Sequence, residues 1–127
     1  MTSGLSGTWI RLWLPVIAYM AMLFALSSMS KPPPPPGGLS YYHVHMAAYA
    51  GLGAVTTRAT AKGLHQVSFA AAFVAIVICS LYGVTDEYHQ VFVPGRTFDV
   101  LDMAADAFGA AAGAGAMWAW SIMMRRF

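Results

Sequence analysis

The chain has 127 residues, of which 58% are hydrophobic and 9% are charged. A typical soluble domain is about 25% charged, so this composition excludes a water-soluble globular domain and favours one domain surrounded by lipid. The formal net charge of +2 is too small to indicate nucleic-acid binding, and the single cysteine, Cys79, excludes an internal disulfide.

Four apolar segments come near the length of about 20 residues that a membrane-spanning helix needs. The predicted helices are about residues 9–29, 41–57, 64–85 and 100–124. Residues 30–40 include five consecutive prolines, which lack a backbone donor and disfavour helix, so a rigid connecting loop is expected there. The expected fold is therefore an all-α membrane bundle of about four transmembrane helices, in one domain over residues 1–127.

The basic residues are unevenly divided between the two sides of such a bundle. The side of the termini receives five of them and the opposite side two. The five are Arg11, Arg58, Lys62, Arg125 and Arg126, and the two are Lys31 and Arg96. Because cytoplasmic loops are enriched in Lys and Arg, we expect a multi-pass protein of the cell membrane with both termini in the cytoplasm.

All five acidic residues lie within a window of 21 residues around the third connection. Ionisable residues inside a membrane are costly and indicate a functional site. At about 100° per residue, Asp99, Asp102 and Asp106 share one face of the fourth helix, and Gly109 and Gly113 continue it. Because small residues let helices approach closely, this face is expected to contact other helices.

The second and third predicted helices contain polar stripes of their own. His45 and Tyr49 share a face of the second helix, and Glu87 and Gln90 share a face of the third. Three helices can thus contribute polar side chains to a shared interior, near the outer membrane–water boundary.

Several of these residues also have a structural interpretation. Asp99 is suited to capping the fourth helix, and Asp102 or Asp106 could form a salt bridge with Arg96. His45 could be a packed histidine that is bonded to a tyrosine. Acid/base chemistry by a carboxylate and a histidine is the alternative, so whether the protein is an enzyme stays open.

The chain contains metal-ligand types but no recognisable ligand spacing. His43, His45, Glu87, His89 and the aspartates are suitable types. A pattern such as His-Glu-x-x-His is absent from the sequence, so we assign no metal, and the sequence identifies no cofactor. The candidate catalytic residues are Glu87, Asp86, His45, Asp102 and Asp106. The candidate ligand-binding residues are Gln90, Arg96, Asp99, His89 and Tyr49.

The segment Tyr82–Arg96, followed by the acids of the last helix, resembles the VanZ-like family. Its pattern is Gly, two residues, Asp-Glu, two residues, Gln, then Pro-Gly-Arg, with a Gly- and Ala-rich tail. Ser27 and Ser28 are similar to the family's serine pair, and His45 and Tyr49 to its histidine and tyrosine. The likeness spans nearly the whole chain.

One departure from the family pattern lies before His45. Family members often have Asp-Lys three to four residues earlier, where this chain has Tyr41 and Tyr42. A shared mechanism that needs that charge pair would not operate unchanged here, and the sequence does not show whether its loss abolishes a shared activity.

The resemblance implies a multi-pass protein of a bacterial or archaeal envelope, in a family named after a teicoplanin-resistance protein. We expect it to bind or modify a polar head group or small ligand, such as an envelope lipid or a glycopeptide, at the outer membrane face. The alternatives are a non-catalytic structural or partner-binding protein and a small transporter or ion pathway. The bilayer is the expected partner, and the oligomeric state is not indicated.

Overall fold

A computed structural model describes residues 2–127, with side chains from Gly4 onward. The chain forms four α-helices, and no strand occurs within those residues. The helices are α1 (Thr2–Ser27), α2 (Tyr41–Thr60), α3 (Phe69–Gln90) and α4 (Val100–Met124). The expected all-α bundle is confirmed.

Three helices of the described chain are long and apolar enough to cross a membrane. They are α1 from Gly4, α3 and α4. Helix α2 has 20 residues, or about 30 Å at 1.5 Å per residue, but is less apolar. It packs against all three other helices. Because so much of α2 faces protein, fewer of its side chains need to be lipid-compatible, which explains its weak hydrophobic signal.

The outer surface of the bundle is apolar. Leu81 on α3 and Phe108 on α4 are 63% and 69% exposed, and Ile10, Leu14 and Phe73 are also exposed. A water-soluble monomer rarely exposes apolar patches of this extent. The described helices therefore present the surface of a membrane protein to their surroundings.

Glycines allow α2 and α4 to lie in close contact. Gly109 lies against the backbone of Met46, and Gly113 lies against the backbone of Ala50, so that a Cβ atom at either glycine would overlap main chain. The predicted protein-facing glycine stripe is confirmed. This close approach brings the start of α4 and its acids beside α2.

The helix ends differ from the predicted ones in ways that matter for the polar residues. Helix α1 begins at Thr2 and α2 ends at Thr60, so both are longer than predicted. Helix α3 begins at Phe69, because the Ser68 hydroxyl caps it by accepting a hydrogen bond from Ala71 N at 3.0 Å. It continues to Gln90, which keeps the acids of its last turns on a regular helical face.

The third connection is tied to the proline loop. Gly95 adopts a φ of 81°, a left-handed conformation that glycine tolerates best, and its Cα lies near Ser30. Arg96 Nη1 donates a hydrogen bond to the Met29 carbonyl oxygen at 3.0 Å. The proline loop therefore covers the end of the bundle where the acids lie.

Candidate functional site

His45 of α2 lies between two carboxylates of α4. Its Nδ1 donates to Asp106 Oδ1 at 2.7 Å, and its Nε2 lies 3.8 Å from Asp102 Oδ2. Asp106 is fully buried, and it packs against Gly83 of α3, where a Cβ would come within 3.0 Å of Asp106 Oδ2. Because a carboxylate only accepts, Nδ1 has the proton, and in the neutral form of the imidazole Nε2 is the unprotonated nitrogen. The histidine is thus held by a carboxylate and not by a tyrosine.

Glu87 of α3 joins the same cluster. Its side chain is 0% exposed, and its Oε2 accepts a hydrogen bond from Asp99 N at 3.0 Å. Its Oε1 has no hydrogen-bond partner. His45, Glu87 and Asp102 each offer a ligand atom, and these atoms lie within 4.8 Å of one another.

Asp99 caps α4, as one interpretation of the sequence predicted. Its Oδ1 accepts from Leu101 N at 2.8 Å, and its Oδ2 accepts from the Tyr42 hydroxyl at 2.9 Å. Tyr42 stands at one of the two positions where the resemblance led us to expect a charge pair. The neutral hydroxyl of Tyr42 therefore holds Asp99, the residue that caps α4.

Arg96 does not pair with the acids. Among the described residues, its side chain forms no ion pair, and its recorded hydrogen bond is the one to Met29. The salt bridge of Arg96 with Asp102 or Asp106 that the sequence allowed is not found, and Arg96 pairs with neither Glu87 nor Asp99. The turn at Gly95 places the guanidinium beside the start of the proline loop, where it donates to the Met29 carbonyl oxygen.

Two cavities meet at this end of the bundle. The first, here the apolar cavity, has about 320 Å³ and lies between the proline loop, the end of α1 and the first turns of α2. The second, here the polar cavity, has about 570 Å³ and lies between the same loop and the start of α4. Both volumes fall near or within the range of about 300–1,000 Å³ that is typical of ligand sites.

The two cavities share a common wall. The residues that line both are Pro32, Pro35, Tyr41, His45, Gln90 and Arg96. Leu23, Leu26 and Val44 line only the apolar cavity, together with Asp86 and Tyr49. Asp99 and Asp102 line only the polar cavity.

Four buried polar atoms near the cavities have no hydrogen-bond partner. They are Tyr49 Oη, Asp86 Oδ1, Glu87 Oε1 and Asp106 Oδ2. Burying such groups without a partner costs about 1–3 kcal/mol each, so native proteins contain few of them. Tyr49 and Asp86 line the apolar cavity, and Glu87 and Asp106 are bonded to Asp99 and His45, which line the polar cavity.

The structure gathers nearly all the residues that the sequence singled out. The cavities are lined by Asp86, Gln90, His45, Tyr49, Arg96, Asp99 and Asp102. Glu87 has a ligand atom within 4.8 Å of those of His45 and Asp102, and Asp106 is bonded to His45. His89 does not, because it stacks on Phe24 at a centroid distance of 4.3 Å and lies 3.0 Å from Ser28 Oγ. His43 Nδ1 accepts the Ser40 N–H at 3.0 Å and so caps α2.

Several residues of the cavity walls were not among the predicted site residues. Ser27 lines the apolar cavity and accepts from Gln90 Nε2 at 3.0 Å, and Tyr41 lines both cavities. The proline loop, which we interpreted as a rigid connection, is itself a wall. The sequence marked Ser27 by the resemblance to the family's serine pair and Tyr41 by the departure from the family pattern, but neither feature indicated a cavity.

Fold and site together define a small all-α membrane bundle with a polar site beneath a proline loop. The VanZ/LLP1 family model matches residues 12–123. The chain belongs to that family, and the resemblance found in the sequence is confirmed. Neither a curated protein nor a solved structure matches the chain.

Proposed function

We propose that this protein binds an amphiphilic envelope lipid, with the lipid chain in the apolar cavity and the head group in the polar cavity. The observation that supports this most directly is the common wall of the two cavities. A ligand that occupies both must have an apolar part and a polar part that are covalently joined. Lipids are the abundant membrane molecules with that form.

The surroundings of the apolar cavity favour entry from the membrane. Leu26 and Val44 line it and are also exposed at the bundle surface, so they would face acyl chains in a bilayer. A lipid chain could therefore enter sideways without crossing water. Burial of apolar surface is worth about 25 cal/mol per Å² relative to water. It adds little binding free energy here, because the acyl chain of the lipid comes from the apolar membrane and not from water. Selectivity must then come from the head group.

The polar groups define the head-group chemistry that the site would recognise. Asp99 and Asp102 line the polar cavity, and their carboxylates suit hydroxyl or amino donors on the head group. Arg96 lines both cavities, and its guanidinium has five donors suited to an anionic oxygen such as that of a phosphate. A phosphate ester with hydroxyl or amino groups satisfies both requirements.

Site-specific photocrosslinking tests this proposal with a matched control. The photoreactive residue p-benzoylphenylalanine would replace Tyr41, which lines both cavities, or Tyr88, which is exposed but lines neither. After irradiation in native membranes, we expect the Tyr41 variant to form adducts dominated by one lipid class. The Tyr88 variant should yield adducts in proportion to the bulk lipids. Bulk-like adducts at both positions would refute selective binding.

Modification of the bound head group is a second candidate function. His45 Nδ1 is held by Asp106, and such a carboxylate–imidazole pair leaves Nε2 able to accept a proton from a reacting hydroxyl or water. If the protein is an enzyme, Asp106→Asn should retain the Tyr41 crosslink but abolish conversion of the bound lipid. If lipid eluted from wild type and from Asp106→Asn has the same composition, this candidate fails.

The structural and transport alternatives receive less support. A structural lock should pair its acids with cations, yet within the described residues the only ion-pair partner of an acid is His45. An ion pathway should continue to the other end of the bundle. Below Asp106, the buried residues of α4 are Gly and Ala as far as Ser121, whose hydroxyl is already bonded to Val67 N and Arg125.

The proposal includes a link to glycopeptide susceptibility. Teicoplanin acts at the outer surface where envelope lipids are assembled, so a protein that binds those lipids should alter the effect of the drug. We expect expression of wild type to raise the inhibitory concentration of teicoplanin, and Arg96→Gln to remove the increase at equal protein level. Arg126→Gln, at the other end of the chain, is the control. Equal susceptibility with and without the wild-type protein would contradict this link.

A further inference from the structure

We infer that His45, Glu87 and Asp102 together bind one divalent transition-metal ion of the Zn²⁺ or Mn²⁺ class. Three helices supply the three side chains, and their ligand atoms lie within 4.8 Å of one another. The inference departs from the sequence expectation of no metal, because residues from α2, α3 and α4 have no short spacing in the chain. It is independent of the proposed lipid binding, whereas an ion on His45 Nε2 would exclude that nitrogen from acting as the base of the second candidate function.

The distances suit coordination better than hydrogen bonding. His45 Nε2 lies 3.8 Å from Asp102 Oδ2, which is too long for a hydrogen bond. Two ligand atoms that each bind an ion at about 2.0–2.2 Å lie about 3.3–3.6 Å apart at a tetrahedral angle, so the His45–Asp102 separation needs a closure of a few tenths of an ångström. The separation of 4.8 Å that bounds the cluster needs a closure of up to about 1.2–1.5 Å, which rotation of the side chains can supply.

His45 is oriented as a metal ligand commonly is. A ligating imidazole usually donates its other ring N–H to a carboxylate, which fixes the tautomer and leaves the free nitrogen for the ion. Asp106 Oδ1 accepts from His45 Nδ1 at 2.7 Å, so Nε2 is the free nitrogen and faces Asp102. Asp106 would thus be a positioning residue.

The buried glutamate provides the independent sign of a missing ligand. Glu87 is fully buried, and its Oε1 has no hydrogen-bond partner. A buried carboxylate without a compensating cation is expensive, and within the described chain no Lys or Arg pairs with Glu87, Asp102 or Asp106. A divalent ion would satisfy the free oxygen and neutralise the charge of two carboxylates at once.

The ligand set selects the type of ion. Imidazole favours Zn²⁺ and other transition metals over Mg²⁺ and Ca²⁺, whereas carboxylates are also suitable ligands for Mn²⁺. Three protein ligands leave further coordination positions, as catalytic zinc sites do. Because His45 and Asp102 line the polar cavity, those positions would be accessible to water or to an anionic oxygen from that side.

Binding of Mn²⁺ alone to protein without a histidine tag provides the test. The protein would be purified in detergent, stripped with EDTA and titrated with Mn²⁺ under electron paramagnetic resonance. We expect one bound ion per chain, with a ¹⁴N coupling from one imidazole in pulsed spectra. His45→Gln should remove the coupling and weaken binding at least tenfold. His89→Gln, which removes a histidine outside the cluster on the same end of the bundle, should change neither.

Two further variants keep the test decisive if His45→Gln loses its helical circular dichroism. Glu87→Gln preserves shape and should weaken Mn²⁺ binding at least tenfold while the ¹⁴N coupling persists at saturation. Asp106→Asn should weaken binding about 10–100-fold, as expected for a residue that orients a ligand. Absence of the ¹⁴N coupling in wild type, or unchanged affinity in Glu87→Gln, would overturn the inference.

Discussion

At the scale of single residues, the site is built from buried polar groups that are incompletely satisfied. Glu87 uses one oxygen to hold the backbone of Asp99 and leaves the other without a partner, and Asp106 does the same with His45. Such groups lower stability, and proteins retain them where function requires them. Arg96, which could have neutralised the charge of these acids, donates to the Met29 carbonyl oxygen instead.

The position of Arg96 gives a prediction about coupling. Because its recorded partner is the Met29 carbonyl and not a carboxylate, Arg96→Ala should destabilise by about 0.5–1.5 kcal/mol, the usual net value of one hydrogen bond. A double-mutant cycle of Arg96→Ala with Asp102→Asn should be additive within about 0.5 kcal/mol. Unfolding in detergent would measure it. A coupling of about 3 kcal/mol or more would reveal a buried ion pair instead.

At the scale of helices, small residues decide where the acids can lie. The glycines of α4 allow α2 to approach, and Gly83 of α3 leaves room for Asp106. Without these close contacts His45 would not reach the carboxylates of α4. The packing of the bundle and the geometry of the site are therefore coupled.

This coupling predicts a contrast between two faces of α4. Gly109→Leu and Gly113→Leu should lower the free energy of unfolding by more than about 1–3 kcal/mol, because the added atoms overlap the backbone of α2. Ala112→Leu and Ala116→Leu, on the exposed face, should change it by less than about 0.5 kcal/mol. Thermal unfolding in one detergent compares all four. Equal effects on both faces would contradict the close α2–α4 contact.

Most elements could be predicted from hydropathy, whereas the contacts between them could not. Apolar length marked α1, α3 and α4, and the aspartate stripe with its glycines marked the inward face of α4. The polar stripes predicted that His45, Glu87 and Asp102 share an interior, but the separations between their ligand atoms could not be predicted, because the three residues are far apart in the chain. The salt bridge suggested for Arg96 is not formed, because the turn at Gly95 brings its guanidinium to the Met29 carbonyl oxygen.

At the scale of the whole molecule, both loops that enclose the cavities lie at the same end of the bundle. The proline loop connects α1 to α2, and the residues between α3 and α4 complete the enclosure. With both termini in the cytoplasm, as the distribution of basic residues predicts, the cavities would open at the outer membrane face. A lipid ligand would then be bound in the outer leaflet.

Cysteine labelling tests this orientation. In a Cys79→Ala background, single cysteines would replace Gly4 near the N-terminus and Gly38 in the proline loop, where an added Cβ meets nothing within 4 Å. A membrane-impermeant thiol reagent applied outside the cell should label Gly38→Cys and leave Gly4→Cys unlabelled until the membrane is opened. The reverse pattern would place the cavities on the cytoplasmic side.

The most direct test of the proposed function measures lipid that remains bound through purification. Val44→Trp would fill the apolar cavity from α2, and Val84→Trp would add the same bulk to an exposed position of α3 outside both cavities. We expect wild type and Val84→Trp to retain one lipid class at near-stoichiometric amounts by mass spectrometry, and Val44→Trp to retain at least tenfold less. Equal retention by all three proteins, at similar helical content, would contradict the assignment of these cavities as a lipid site.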